Sequence, residues 1–497
     1  MDAVSVFELL VLWIVGYGTY KYLKFRLNPL YLAVGPPVKV PIVGHLKELA
    51  FEEATAPMLR WAKEYGDFVV FHTWFWTPTV LATSKEAVRY ILVEHEEKFS
   101  RSPLTRAILY DIVGEGLLLS NHDVHARQRK MLAPVFAPGN LPKFISIFLQ
   151  KSNEVADLWE EQIKASGDDR IVESGYLTSV SVAMDIIGLA AFGYDFRGVS
   201  KNDKASAVSQ AANELLKPMS TAGMRLLNLF LASISPTLSV WAIPSRTKNI
   251  RTLRRAVQDV IDARRKKLEN QGEFTQDLLG LILEADARNE ITDKELVDHC
   301  LTFLIAGHET TSSGLQWITV VLSKHPEVVE RIRQELHGKE FTFETLRSSK
   351  YLNAVVKEVL RLYPPVPIVS RQAVEDVVIQ GFRIPKKTLI VLPQGVIHLL
   401  DENFDNADKF IPERWLREDN PARASNFMGF GVGGHNCIGQ RFAFFELLVL
   451  VAVLYTRFNI QTMEEDYRKY SRVTMKPSPE LFVRVSLPKE QTRVLRT

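Results

Sequence analysis

The sequence predicts a mainly α fold with small β-sheets, built as one large domain behind an N-terminal apolar segment. Helical periodicity dominates the chain. Two stretches promise long helices: one from Thr292 to about His325-Pro326, and an apolar segment from Ile438 to about Phe458. Strand signals are short by comparison. Phe68–Thr73 and Thr79–Thr83 read as a hairpin around Thr77-Pro78, and Val377–Gln380 with Thr388–Leu392 as a similar pair.

Composition narrows the class. A chain of 497 residues could hold about three domains by length, but no Gly/Ser linker, low-complexity tract or internal repeat divides it. Its 46% hydrophobic content is ample for a core, and a net charge of +3 gives no reason to expect nucleic acid as a partner. Two cysteines, Cys300 and Cys437, argue against a disulfide framework and for a reducing compartment.

Val4–Tyr20 is apolar apart from Glu8, and Lys21, Lys24 and Arg26 follow it. That length suits a membrane span, and the basic cluster puts the body of the protein on the cytoplasmic side. With no basic n-region and no small-residue cleavage site, residues 1–26 read as an uncleaved anchor rather than a signal peptide. Gly35-Pro36-Pro37, Pro41 and Gly44 make residues 27–45 a proline-rich hinge, which leaves 46–497 as the globular body. His122–Phe136 is a basic helix candidate in which His125 and Arg129 share a face, with Arg127 and Lys130 on a solvated side. Leu226–Ile243 reads as an apolar core helix, or as a lip dipping into a membrane surface, and Arg246–Lys267 as a solvated basic helix.

The long helix opens with a capping box, Thr292-Asp293-Lys294-Glu295. Its middle, Ala306-Gly307-His308-Glu309-Thr310-Thr311, suits an uninterrupted helix poorly. Gly307 is expected to leave a groove, and a threonine hydroxyl to bond the carbonyl four residues back. A groove with a hydroxyl and a carboxylate is a good place to hold dioxygen and pass protons to it. Later come Glu358 and Arg361, three apart on a helix, then Arg371 after the apolar run Val366–Val369, then Pro412-Glu413-Arg414.

The decisive stretch is Phe430–Gly439, Phe-Gly-Val-Gly-Gly-His-Asn-Cys-Ile-Gly. Gly431, Gly433, Gly434 and Gly439 can take positive φ and clear space beside a flat ligand. A cysteine at a helix start has its thiolate stabilised by free N–H groups and the helix dipole. Gly429–Gly434 also fits a bare dinucleotide pattern, but no strand leads into it.

The order Phe430, Gly431–Gly433, His435, Cys437, Gly439 resembles the haem-ligand loop of the cytochrome P-450 haem-thiolate family, eukaryotic membrane-anchored type. The resemblance covers nearly the whole chain, with four motifs in the family's order. It implies the cytochrome P-450 fold, with haem b held between an oxygen-binding helix and a cysteine-loop helix. By the same resemblance Cys437 is the axial ligand, Phe430, Gly431, Gly439, Ala306 and Gly307 lie against the haem, and Arg129 and Arg371 bond its propionates. His125 stands where the family usually has Trp, and His435 where it usually has Arg; a histidine there carries a charge that depends on pH. Thr310 and Glu309 match the oxygen-activating pair, and Glu358, Arg361 and Arg414 a structural lock under the haem loop.

The activity implied is insertion of one atom of dioxygen into a lipophilic substrate. The chain has no flavin or iron–sulfur module, so electrons are expected from NADPH through a separate flavoprotein reductase, with cytochrome b5 as an additional donor. Arg127 and Lys130 could serve as a docking patch for an acidic electron-transfer partner. The endoplasmic reticulum membrane is the expected location. Two alternatives are a haem-thiolate isomerase or dehydratase and a non-catalytic haem protein; the acid–threonine pair favours the monooxygenase. Candidate pocket walls are Ile112, Val113, Leu117, Phe303, Ala306, Val366, Ile368 and Val369, all apolar.

Overall fold

The long helix capped at Thr292 runs from Asp293 to Ser323, and the rest of the body is arranged around it. Both halves of its capping box are made, with the Glu295 N–H donating to Thr292 Oγ1 (3.2 Å) and the Thr292 N–H to Glu295 Oε2 (3.1 Å). This computed structural model describes residues 3–40, 42–199, 207–216, 227, 244–271, 277–417, 426–471 and 473–488.

Helix Gly175–Phe192 packs along one side of the long helix, and here an expectation fails. Gly307 does not leave an open groove. A Cβ on Gly307 would lie 2.6 Å from Cγ1 of Ile187, so the glycine lets two helices approach closely and the missing side chain's place is filled. Thr310 Oγ1 does donate to the Ala306 carbonyl (2.8 Å), yet the helix continues unbroken. About two turns further along the same helix lies the cysteine helix, Gln440–Arg457, whose Leu447 approaches Gly314. Phe442 on that helix meets Phe144 and Phe148 of helix Leu141–Ser166 edge-on, with centroids 5.1 and 4.8 Å apart.

The largest sheet has five strands in the order Phe68–His72, Pro78–Ala82, Leu389–Leu392, Val369–Ala373, Phe99–Arg101. The first hairpin is the one the sequence predicts. The second pairing is not. Val377–Ile379 pairs with Phe382–Ile384, because Gln380 and Gly381 both take positive φ and close a two-residue turn. That frees Leu389–Leu392 to run parallel to Pro78–Ala82 and antiparallel to Val369–Ala373. In the same sheet Phe99–Arg101 lies against Val369–Ala373 with Arg101 opposite Arg371.

Other elements also depart from expectation. The helix expected over His122–Phe136 is α-helical only to Leu132 and finishes as a 3-10 turn, Ala133–Phe136, where Pro134 lacks an N–H. Helix Pro244–Gln271 is no merely solvated face. Arg246 donates to the Ile108 carbonyl, Arg254 pairs with Asp298 (3.1 Å), Arg264 with Asp277 (2.8 Å), and Arg265 with Asp286 and Asp293 (2.7 and 2.6 Å). Leu226–Ile243, apart from Leu227, lies outside the described residues. By length and composition alone, two described stretches could cross a membrane: His122–Ser166, and Gly175–Phe192, most of which is buried in the core.

The N-terminal helix, Ala3–Arg26, is seated on the body rather than merely tethered. Tyr17 meets Phe75 (5.2 Å between centroids), Tyr22 meets Trp76 (5.1 Å) and Phe25 meets His72 (4.6 Å). The proline-rich segment is held too, with the Val70 N–H donating to the Val34 carbonyl (3.0 Å) and the His45 N–H to the His72 carbonyl (2.8 Å).

Glu358, Arg361 and Arg414 converge in a buried network. Glu358 takes a bidentate pair from Arg361 (both 2.9 Å), and further bonds from Arg414 Nε (2.9 Å), Trp415 Nε1 (2.9 Å) and the Ile411 N–H (2.9 Å). Glu358→Gln keeps the shape but strips two buried guanidiniums of their counter-charge. We expect a loss of about 3 kcal/mol or more of folding stability in denaturant titration; a parent-like midpoint would show that the network does not carry this segment.

Candidate active site

Cys437 closes a tight loop at the head of the cysteine helix. Its N–H donates to the Phe430 carbonyl (2.8 Å), the Gly431 N–H to Met428 O (2.9 Å), and the Asn436 N–H to Gly433 O (3.1 Å). Gly431 and Gly433 take φ of +73° and +76°, as a turn this tight requires. Gly434 and Gly439 do not. Gly439 has φ −88° at the helix N-cap, and a Cβ on Gly434 would meet the flexible end of the Glu96 side chain, Oε2 at 2.5 Å.

The two cysteines have opposite surroundings. Cys300 is packed in the core, and burial pushes its thiol up to about 12. Cys437 is exposed although protein surrounds it on most sides, so it lines a recess rather than filling one. The enclosing protein pushes its thiol up, while the Gly439 N–H and the Arg129 guanidinium pull it down.

Beside this loop sits a cluster of cations. Arg129 donates to both the carbonyl (2.7 Å) and the side-chain oxygen of Asn436, so it braces the cysteine loop. Arg101 and Arg371 face each other across adjacent strands, and burial lowers them to about 9 and about 10. Arg101 Nη2 donates to His435 Nδ1 (2.9 Å), and His435 Nε2 donates to Glu96 (2.8 Å). A guanidinium only donates, so these partners fix His435 as the Nε2–H tautomer. Burial, then Arg101 and its neighbours, push His435 down to about 2. The pH-dependent charge expected of it is therefore absent in this setting. His125 is buried, meets the His435 ring at a tilt with centroids 3.6 Å apart, and is lowered to about 4 by burial and the same arginines.

Glu96, His125 and His435 have the spacing of a metal site, but Arg101 occupies His435 Nδ1 and the guanidiniums repel a cation. The cluster asks for an anion instead. Buried Arg101 Nε has no hydrogen-bond partner among the described residues, and the bond shown for Arg371 goes to its neighbour's carbonyl, Ser370 O (3.1 Å). The carboxylates of an anionic cofactor bound beside Cys437 would fit these donors.

On the long helix, Ala306, Gly307 and Thr310 are the half-buried positions of its middle turn. Glu309 is not beside them. Neighbours on a helix point about 100° apart, and the Glu309 carboxylate is buried against Lys476 (2.9 and 3.0 Å), with the Thr474 hydroxyl donating to it at 2.6 Å. The acid and hydroxyl expected on one groove are thus split between two faces.

Comparison with known proteins decides the family: the cytochrome P450 profile matches residues 34–485. The chain belongs to the cytochrome P450 family. It is similar to cytochrome P450 monooxygenase 205 of Postia placenta, at 27% identity over 92% of this chain and 91% of the relative. It is also similar to cytochrome P450 monooxygenase sphH of Aspergillus fumigatus (30%; 90% and 86%) and to cytochrome P450 4A24 of Sus scrofa (29%; 93% and 92%). It is a haem-thiolate monooxygenase that draws electrons from a redox partner and acts on a small-molecule substrate.

In this P450 the apolar candidates spread over several environments. Ile112, Val113, Leu117 and Phe303 are buried, Ala306, Ile368 and Val369 half-buried, and Val366 exposed. Arg127 is tied to Glu295 and to the Glu290 carbonyl, which weakens its reading as a free docking charge. Sequence reasoning missed Arg101, Asn436, Glu96 and Lys476. Arg101 and Lys476 meet their partners through strand placement, which no local pattern signals.

The Glu309–Lys476 pair gives a direct test. Lys476→Met leaves a buried carboxylate with one hydroxyl donor and should cost about 3 kcal/mol, while Glu309→Gln/Lys476→Met should cost much less than the sum of the single changes. Additive costs in thermal or urea unfolding would mean that the pair is not coupled.

Proposed function

We propose that Cys437 is the axial thiolate of a haem b whose propionates are taken by Arg101, Arg371 and Arg129, with His125 and His435 beside them. The observation that supports this most is an exposed cysteine at a helix start next to the guanidiniums of Arg101 and Arg371, which desolvation lowers and whose one nearby carboxylate among the described residues is Glu96. When bound, the haem supplies dioxygen activation and transfer of one oxygen atom to substrate, the other leaving as water.

The chain's own residues then have distinct tasks. The Gly439 N–H and Arg129 favour anionic sulfur at Cys437, and the Phe430 carbonyl fixes the loop that presents it. Phe430, Gly431 and Gly439 lie on the cysteine side, and Ala306 and Gly307 on the long-helix side. Thr310 Oγ1, now donating to the Ala306 carbonyl, turns its hydroxyl to the reaction and passes a proton there. Glu309 contributes a proton only on releasing Lys476, because its carboxylate is otherwise spent on that pair.

Electrons come from NADPH through a separate flavoprotein reductase, with cytochrome b5 as a second donor. Residues 1–26 anchor the protein in the endoplasmic reticulum membrane, 27–45 join anchor to body, and 46–497 form the haem-thiolate catalytic domain on the cytoplasmic side. The apolar candidate walls favour a lipophilic substrate.

Reduced protein treated with carbon monoxide should show the strongly red-shifted Soret band of thiolate ligation, and Cys437→Ser should lose it. Folded protein without haem would sink the reading. With reductase and NADPH, Thr310→Ala should consume electrons at a comparable rate while forming about tenfold less product or lower. Full product formation without reductase would favour an isomerase or dehydratase instead.

A further inference from the structure

Asp298 lies on the long helix, about 18 Å from Thr310 along the axis, and its side chain is fully buried. Its two oxygens serve different elements. Oδ2 accepts the Glu115 N–H (3.0 Å), from the loop that follows helix Pro103–Val113. Oδ1 accepts Arg254 Nη1 (3.1 Å), from helix Pro244–Gln271. One carboxylate therefore joins the loop, the long helix and the basic helix.

The loop is shaped to this contact. A Cβ on Gly114 would lie 2.0 Å from the Asp298 carboxylate, and one on Gly116 would lie 2.2 Å from Thr302 Oγ1, which itself donates to the Asp298 carbonyl. Gly114 also takes φ +60°, so glycine is required there twice over. Leu117, a candidate pocket wall, comes next and is buried. The loop thus lies flat over the turn of the long helix at Thr302, one turn before Ala306. Lifting it would uncover that turn of the long helix, and would leave Asp298 buried with Arg254 alone. The reverse holds as well: losing Arg254 leaves a buried carboxylate with a single amide donor.

We propose that Asp298 and Arg254 form a latch that holds the Gly114–Leu117 loop closed over the approach to the Thr310 recess. Asp298 is a positioning residue, remote from the reacting atoms, that governs how fast an apolar molecule enters and leaves. The entry role rests on the haem-thiolate reading; the closed loop does not.

Two measurements test this on the full-length protein: amide exchange over residues 114–119, followed by mass spectrometry, and binding and release rates of 4-phenylimidazole, a probe that ligates haem iron. Arg254→Gln changes a partly exposed side chain and keeps the protein testable if Asp298→Asn fails to fold. Both variants should exchange about tenfold faster in this segment, as expected for losing a charge-assisted bond. The double variant should be no faster than the faster single one. The probe's on- and off-rates should rise together with little change in affinity, and Arg254→Lys should restore most of the parent behaviour. Parent-like exchange in Arg254→Gln would overturn the latch, and faster exchange with unchanged probe rates would overturn its role in entry. The carbon monoxide band is read alongside, so a missing haem is distinguished from a missing latch.

Discussion

The carboxylate of Glu358 is the constraint on which the cysteine loop depends. The segment from His398 to Leu416 has little regular structure, so its carbonyls need partners from elsewhere. Arg361 supplies them to His398, Ala407 and Lys409, and Arg414 to Asp405 and Asn406. Both arginines are buried, which is tolerable only because Glu358 neutralises them and has its own remaining lone pairs filled by Trp415 and Ile411. The order then passes toward the site. His398 Nδ1 bonds the Arg361 carbonyl and its Nε2 accepts the Met428 N–H, a pairing that needs a neutral ring, and burial holds this histidine down to about 3. Met428 in turn accepts the Gly431 N–H that starts the cysteine turn. A helix well before it in the chain thus braces the turn that carries Cys437.

The polar groups near the recess divide by whether their bonding is complete. Glu309 and Lys476 are closed: each faces its partner, Thr474 completes the carboxylate, and the Tyr176 ring lies 5.1 Å from the Lys476 ammonium. Such a pair has nothing to offer a ligand without first breaking. Arg101 and Arg371 are open: both are lowered by desolvation, Arg101 Nε has no partner among the described residues, and the bond shown for Arg371 goes only to the adjacent Ser370 carbonyl. Burying cations in this way is unfavourable for an isolated fold and favourable once an anion arrives. Completeness of bonding, more than charge or proximity, separates ligand-facing groups from scaffold here.

This division also explains what the sequence discloses. The cysteine turn, the capping box at Thr292 and the Thr310–Ala306 bond are written in adjacent residues, where spacing alone fixes the geometry. Glu358 and Arg361 are three apart and so face each other on any helix, although their complete burial is a property of the fold. Gly307 shows the limit. A glycine in a helix reads equally as a groove or as a helix contact, and only the position of Ile187 decides between them. Arg101, Lys476 and Asp298 lay beyond reach for a related reason: their partners are set by strand register and by loops crossing helices. Val377–Ile379 pairs with Phe382–Ile384 and not with the segment Thr388–Leu392, because the two-residue turn at Gln380-Gly381 outweighs similarity between more distant segments.

The seating of the N-terminal helix bears on the proposed membrane attachment. A helix on a loose hinge would leave the body free to tumble over a bilayer. Here Tyr17, Tyr22 and Phe25 rest on Phe75, Trp76 and His72, while the proline-rich segment bonds along strand Phe68–His72. A Cβ on Gly35 would collide with the Val70 carbonyl at 2.0 Å, so that segment is pressed against the strand and cannot swing as a flexible tether. The exposed apolar side chains Val11, Leu12, Trp13 and Val15 lie on the part of the helix before these contacts. If that part enters the bilayer, the aromatic seat carries its tilt into the five-stranded sheet, and through Phe99–Arg101 to the arginines beside the cysteine loop. The same aromatic contacts that hold the anchor would then set the angle at which the recess faces the membrane.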